Sequence, residues 1–512
     1  MSGADATGGG ARSAGGQATS VARNSLWNLL GQLVPMAAAV LGIPFLVRGL
    51  GIERFGILTL VWVLIGYFGL FDLGVGSSLT KLVAERNAPG EEADAARLVR
   101  TALVLLLGLG VVGAGAIAGL APWLARSVLR VAPRLQAETA GALRVLAAGI
   151  PAVFLSVGIK GVLEARGHFR LSNTVRIPMG VFNIIGPLVC AQVTPSLVAV
   201  VAVLVAGRLV GCVVFLRMAL ATVPTLMRAS GVEMSLARPL LRLGGWMTVS
   251  NVVGPLMVNL DRFMVGMVLS MAAVAYYTTP YEVVSKLWVF VVALAGVLFP
   301  LFSSAYPADR KRVSELYHKG VRYLFLMLFP LSMLIVAFAH DALSVWMGPD
   351  FASHSTVVLQ CLAIGVFWNS LAQVALALVQ GAGRPDLAAK LHLAEVPFYL
   401  VALRVLIGAF GVVGAAAAWV TRVVLDGGVL FVLAARVVPE ARQSLWRLLG
   451  SCAAAVGVLA LAAFLPTPVA RVMFVTSVLG AGGIAAWRWA LTPEERTCLR
   501  RPFRRVERWL AE

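Results

Sequence analysis

Along this chain the apolar residues come in long runs rather than in stripes. A hydrocarbon core of roughly 30 Å needs about twenty predominantly apolar residues per crossing helix, and runs of that length recur from residue 25 to residue 490. Fourteen are read, at 25–47, 56–80, 99–121, 142–163, 174–193, 197–219, 244–269, 278–302, 321–339, 355–379, 389–407, 412–434, 448–465 and 469–490. The segments between them are short, roughly 20 residues at most. The pattern predicts an all-α polytopic membrane protein with no loop large enough for a soluble catalytic domain.

Composition agrees. Of 512 residues 59% are hydrophobic and 13% are charged, against about 25% charged in a soluble domain. The 43 basic and 24 acidic residues give +19, which in a soluble protein would point to nucleic acid. Their placement says otherwise. Arg86, Arg97, Arg166, Arg170, Arg228, Arg238, Arg310, Lys311, Arg312, Arg384, Arg436, Arg442 and Arg447 fall on alternate connections, and Arg500, Arg501, Arg504, Arg505 and Arg508 crowd the C-terminal segment. With both termini cytoplasmic, roughly 31 basic residues lie inside and about 7 outside, as the positive-inside rule requires. The surplus is a topology signal and a grip on anionic lipid headgroups, and nucleic acid is not a partner.

The expected organisation is a cytoplasmic N-tail over 1–24, an N-lobe of six helices over 25–219, a C-lobe of six over 244–434, two added helices over 448–490 and a basic cytoplasmic tail over 491–512. The Gly, Ala and Ser-rich start precedes an apolar run of spanning length, so it reads as a tail before an uncleaved first helix rather than as a signal peptide. Several motifs are decoys. Gly108, Gly110 and Gly113 spell G-x-G-x-x-G inside the third run, where the preceding strand that a dinucleotide site needs is missing; small residues there serve close helix packing. Ser78 and Lys81 lack the companion motifs of penicillin-recognising enzymes. The five cysteines are isolated and the five histidines show no metal-ligand spacing, so no metal or cofactor is expected.

Candidate chemistry lies in the charges within the runs, each of which costs about 2.5 to 3.5 kcal/mol at a helix centre. Arg208, Arg262, Lys286, Arg404 and Arg422 are basic; Asp72, Asp261, Glu282, Glu395 and Asp426 are acidic. Together they would cost on the order of 30 kcal/mol against lipid, so they must face inward. Glu282 and Lys286 share a helix face, as do Arg422 and Asp426. Asn251, Pro255, Asn259 and Arg262 fall within about 80° of one another on the seventh run, and Asn24, Asn28, Gly31, Gln32 and Pro35 make a similar stripe on the first. Most of the charges sit in runs seven to twelve, and prolines recur in the runs, as suits kinked helices around a cleft. Mutual salt bridges that only fix packing are the plainer reading of any single pair.

A weak duplication links the halves. Asn28-x-x-Gly31 before Pro35 matches Asn251-x-x-Gly254 before Pro255, and Phe55-Gly56 corresponds to Tyr276-Tyr277. Arg48 to Gly56, the run Gly66 to Gly76 around Asp72 with Lys81 beyond it, Leu260-Asp261-Arg262-Phe263 with Gly266, and Pro280-Tyr281-Glu282 resemble the polysaccharide (O-antigen) flippases of the multidrug/oligosaccharidyl-lipid/polysaccharide exporter superfamily.

That resemblance implies two six-helix lobes around a central cleft with two extra C-terminal helices, in a bacterial cytoplasmic membrane. It implies translocation of an undecaprenyl-pyrophosphate-linked oligosaccharide from the inner to the outer leaflet for surface polysaccharide biosynthesis, by alternating access and without catalysis. Arg262, Lys286, Arg404 and Arg422 would meet the anionic head, and Asn251, Asn259, Asn28, Gln32, Asn369 and Gln373 would hydrogen-bond the sugar. Asp72, Asp261, Glu282, Glu395 and Asp426 would carry a coupling proton or sodium ion. A polysaccharide polymerase and chain-length machinery are the expected protein partners. The alternatives are an ion-coupled multidrug/cation antiporter, a peptidoglycan-precursor flippase and, from another class, a membrane enzyme acting on lipid-linked sugars. For that last class the sizeable external loop with catalytic groups is missing.

Overall fold

The computed structural model describes residues 34–68, 74–85, 92–227, 231–238, 240–241, 259–490, 493 and 495–496, and every regular element among them is helical. Ten of these helices are long and apolar enough to cross a membrane. Ala93–Val128, Pro133–Ala165, Arg170–Val193 and Leu197–Thr222 fall on the third to sixth predicted runs; Trp288–Ala305, Arg310–Ala337, Pro349–Gly381, Pro385–Val437, Trp446–Ala463 and Pro468–Arg488 fall on the eighth to fourteenth. Shorter helices, Val34–Leu50 and Ile52–Phe68, take up the first two runs, and a helix over 259–268 is the described end of the seventh.

Two departures from the run pattern are informative. The eighth run is broken: Met271–Ser285 ends and Trp288–Ala305 begins on either side of Lys286 and Leu287. Across the break the backbone bonds reach only three residues back, from Lys286 N to Val283 O (3.3 Å) and from Leu287 N to Val284 O (3.0 Å), the tighter winding of a 3₁₀ turn. Pro280, the obvious breaker in the sequence, lies inside a continuous helix instead.

The second departure is Pro385–Val437, 53 residues that are helical except at Gly411. A straight helix of that length would measure about 80 Å, far more than a bilayer core. It reverses at Gly411, whose φ of 60° and ψ of −133° lie in a region that only glycine adopts without strain. Residues on either side of this turn meet across it, His392 with Asp426 and Glu395 with Arg422. The predicted runs 389–407 and 412–434 are thus the two antiparallel arms of one hairpin.

The chain forms two compact units that divide between Ala275 and Tyr276. The core of the first packs Leu98, Ala102 and Leu106 of Glu92–Trp123 with Ile150, Phe154 and Val162 of Pro133–Ala165 and Phe215 and Ala219 of Leu197–Thr222. A Cβ on Gly110 would stand 2.7 Å from the Pro151 Cα, so this glycine of the G-x-G-x-x-G triplet is there to let two helix backbones approach. In the second unit Pro349–Gly381 is the central, largely buried helix, and Pro468–Arg488 is peripheral and mostly uncovered. Rings interlock around the former: Phe325 and Phe329 pack edge-on to Phe367, and Trp368 stands edge-on to Phe431 at 5.9 Å. Arg471 ties the peripheral helix down, with Nη1 2.7 Å from Asp341 Oδ2 and Nε donating to Leu465 O at 2.9 Å.

Replacing Gly411 with Ala should destabilise the second unit by about 1–3 kcal/mol, since alanine must adopt a strained backbone. Gly408→Ala, where an added Cβ meets nothing closer than the Arg404 Nη1 at 3.6 Å, should be neutral or mildly stabilising. Thermal unfolding of the two purified variants in detergent makes the comparison.

Candidate functional site

Inside the Gly411 hairpin five side chains converge. His392, Glu395 and Tyr399 follow one another at three and four residues, and Arg422 and Asp426 at four, so each arm turns one polar face to the other. Arg422 Nη1 lies 3.6 Å from Glu395 Oε2, the two side chains being 13% and 12% exposed. The Arg422 guanidinium stacks over the Tyr399 ring, 5.1 Å from its centroid. His392 Nε2 lies 3.4 Å from Asp426 Oδ1, with the histidine at the rim and the aspartate nearly enclosed. The Glu395 and Asp426 carboxyl groups adjoin each other.

This cluster is under-satisfied. The Glu395 and Asp426 carboxyls have chiefly each other for polar company, and Arg422 Nε is buried without a hydrogen-bond partner among the described residues. In a low-dielectric interior two neighbouring carboxylates repel strongly, and one arginine cannot neutralise both. Arg422 and Asp426, four residues apart on one arm, do not pair with each other as their spacing invited; each finds its partner across the hairpin.

A second cluster lies in the first unit, on the helix over 259–268. Asp261 and Arg262 are buried, and the Asp261 carboxylate accepts the Arg262 backbone N–H at 2.8 Å. Asn259 is hydrogen-bonded to the Tyr67 hydroxyl of Ile52–Phe68, which also feels the charges of Asp261 and Arg262. Phe263 packs on the Tyr67 ring at 6.4 Å. A Tyr, an Asn, an Asp and an Arg thus meet where two helices cross.

The remaining candidates are scattered. Glu282 and Lys286 form an ion pair of 3.2 Å with half-exposed side chains at the break in the eighth run. Arg404 is exposed, about two and a half turns from Glu395 along its arm. Asn369 is buried and Gln373 half-buried on the central helix. Arg208, mid-way along Leu197–Thr222, donates from Nη2 to Asn183 Oδ1 at 3.1 Å. Asn28, Gln32, Asp72 and Asn251 lie outside the described residues. Three members of the clusters escaped the sequence reading: His392 and Tyr399, signalled by their spacing from Glu395, and Tyr67, which sits within the Gly66 to Gly76 run.

Apolar spanning helices that carry partnered charges in their interiors define a multi-pass membrane protein, and the relatives place it among transporters. Known proteins agree with that class. The family model described as "Polysaccharide biosynthesis protein" matches residues 45–356. A Shigella flexneri protein proposed as an O-antigen transporter is 30% identical over 410 residues, 80% of this chain and 96% of its own. A Haloferax volcanii protein proposed as the low-salt glycan biosynthesis flippase Agl15 is 24% identical over 78% of this chain and 80% of its own. Among solved structures, an inward-facing multidrug resistance MATE family transporter of the MOP superfamily superposes with a TM-score of 0.69 at 14% identity, over 81% of this chain and 99% of its own. The lipid II flippase MurJ in its inward closed conformation gives 0.67 at 12% identity, over 90% and 99%. The chain belongs to the polysaccharide biosynthesis protein family.

Removing Arg422 alone leaves two buried carboxylates against a rim histidine, so Arg422→Met should cost roughly 3–5 kcal/mol of stability. Combining it with Glu395→Met should recover most of that loss. Denaturant unfolding of both variants in detergent measures the difference, and a double variant no more stable than the single one would show that the pair is not coupled.

Proposed function

We propose that this protein moves an undecaprenyl-pyrophosphate-linked oligosaccharide from the inner to the outer leaflet of a bacterial cytoplasmic membrane, supplying surface polysaccharide biosynthesis. Family membership and the names of the relatives support the substrate class. The observation that carries the reading is an arginine in each unit, Arg262 buried and Arg422 with its side chain 13% exposed, held among polar side chains of apolar helices. A lipid tail can stay in the bilayer, but a pyrophosphate and a sugar chain cannot cross it unless cations and hydrogen-bonding groups replace their water.

In this reading fourteen spans with both termini cytoplasmic form two six-helix lobes around a central cleft, followed by two further helices, and the cleft opens to one face of the membrane and then the other. Arg262 and Arg422, with Lys286 and Arg404 toward the periphery, engage the pyrophosphate. Asn251, Asn259, Asn28, Gln32, Asn369 and Gln373 offer hydrogen bonds to sugar hydroxyls. Glu395 and Asp426 carry one negative charge more than Arg422 balances, so their hollow takes up one further cation, a proton or a sodium ion; Asp72, Asp261 and Glu282 are the other coupling candidates. When a pyrophosphate draws Arg422 away, the carboxylates must gain that cation, which couples substrate to ion through a shared arginine. The polymerase and chain-length machinery would consume the product outside.

A deletion strain should lose its surface polysaccharide and accumulate lipid-linked repeat units on the inner leaflet, and the intact chain should restore it. Arg262→Ala, expressed at wild-type level, should fail to restore it; normal polysaccharide in that strain would take Arg262 out of the transport path. Drug resistance that rises with expression, with polysaccharide unaffected, would favour an antiporter instead.

A further inference from the structure

We infer that the first unit carries a second anion site at its outer surface, a shallow basic pocket that takes the phosphate of a membrane lipid. Glu92–Trp123 ends in a π-helical turn, Leu124–Val128, closed by Leu129 N donating to Leu124 O at 2.9 Å. The next residue, Arg130, donates its backbone N–H to Gly266 O at 2.9 Å, which pins this turn beside the 269–271 connection. Between them lies a cavity of about 380 Å³ whose polar lining is Glu53, Arg126, Ser127, Arg130 and Ser270.

The charges there are unequal. Glu138 is taken by Arg54, whose Nε and Nη2 lie 3.0–3.1 Å from its oxygens. Glu53, the only acid among the described residues that lines the cavity, is taken by Arg134 at 2.8 Å. Neither Arg126 nor Arg130 has a carboxylate partner among the described residues, and both are exposed. The pocket therefore presents two uncommitted guanidinium groups and two serine hydroxyls, the donor set that phosphate oxygens accept from.

Two observations point to a lipid phosphate. Trp123, 56% exposed, and Leu120, 47% exposed, precede the turn; exposed tryptophans collect at headgroup depth, so the arginines one turn further on stand level with phosphates. With both termini cytoplasmic this connection is external, and Arg126, Arg130 and Arg134 are three of only about seven basic residues left outside. Arg134 answers Glu53, but Arg126 and Arg130 stand without a carboxylate partner among the described residues on the side that normally excludes basic residues, which suits a ligand better than topology.

The phosphate could belong to the pyrophosphate of a flipped polyprenyl product or to an outer-leaflet phospholipid, and the two sources are separable. The full chain is purified in detergent and titrated with farnesyl pyrophosphate by thermophoresis, and phosphatidylglycerol retained from mixed micelles is counted by native mass spectrometry. Replacing Arg126 and Arg130 together with Gln should weaken one of the two ligands roughly tenfold or more, while Lys at both positions holds the loss to about threefold. Weaker farnesyl pyrophosphate binding with unchanged lipid retention assigns the pocket to the product; the converse assigns it to a phospholipid headgroup. Each single Gln variant should show a smaller loss of the same kind, which keeps the test open should the double variant fold poorly. Unchanged binding of both ligands in every Gln variant overturns the site.

Discussion

Hydrocarbon gives a buried charge nothing to bind, so every ionised group sunk in a spanning helix must find its compensation in the protein or in what the protein carries. The hairpin Pro385–Val437 shows this constraint at work. Its two arms are held in register by hydrophobic packing and by a turn only glycine makes easily, and that register sets Arg422 against Glu395 and Asp426 against His392. The compensation is incomplete, because two adjoining carboxylates share one arginine. A purely structural salt bridge would gain by matching its charges one to one. An unsatisfied set is what a site needs if it is to exchange one partner for another during a cycle.

The first unit solves the same problem differently. Arg262 is buried beside an aspartate that is already engaged by the backbone, and Tyr67 and Asn259 extend the polar patch onto a neighbouring helix. Its exposed basic pocket at Arg126 and Arg130 relies on water and headgroups for solvation rather than on buried partners. A charge in the interior is expensive to leave unpaired, whereas a peripheral one is readily solvated.

Most of the architecture was legible because hydropathy runs report length directly. Those in the described residues fall on helices, and the positions that failed are those where local backbone geometry decides. The eighth run looks continuous because apolar composition is blind to a break made by hydrogen bonds that reach three residues back instead of four. The obvious marker, Pro280, sits where the missing N–H is tolerated. The site was half legible for a related reason. Spacing on one helix pointed to Arg422 with Asp426, whereas the contacts that form are between arms, and these follow from the position of the turn at Gly411. That turn sets the arms face to face with an offset of four to five residues, and His392 and Tyr399 join the cluster through their spacing from Glu395. Tyr67 was hidden because an apolar context makes a tyrosine look like packing until its hydroxyl is seen beside Asn259 and Asp261.

The central claim is that these interior charges serve passage of a lipid-borne anion, and transbilayer movement in purified vesicles tests it most directly. A fluorescent polyprenyl-pyrophosphate oligosaccharide is placed in the inner leaflet of vesicles that hold only this protein, with an ion gradient imposed, and its arrival outside is followed by quenching from the bulk solution. The account predicts arrival much faster than in protein-free vesicles, while an equally labelled phosphatidylcholine stays where it was placed. Movement no faster than in empty vesicles, or equal movement of both lipids, would contradict it.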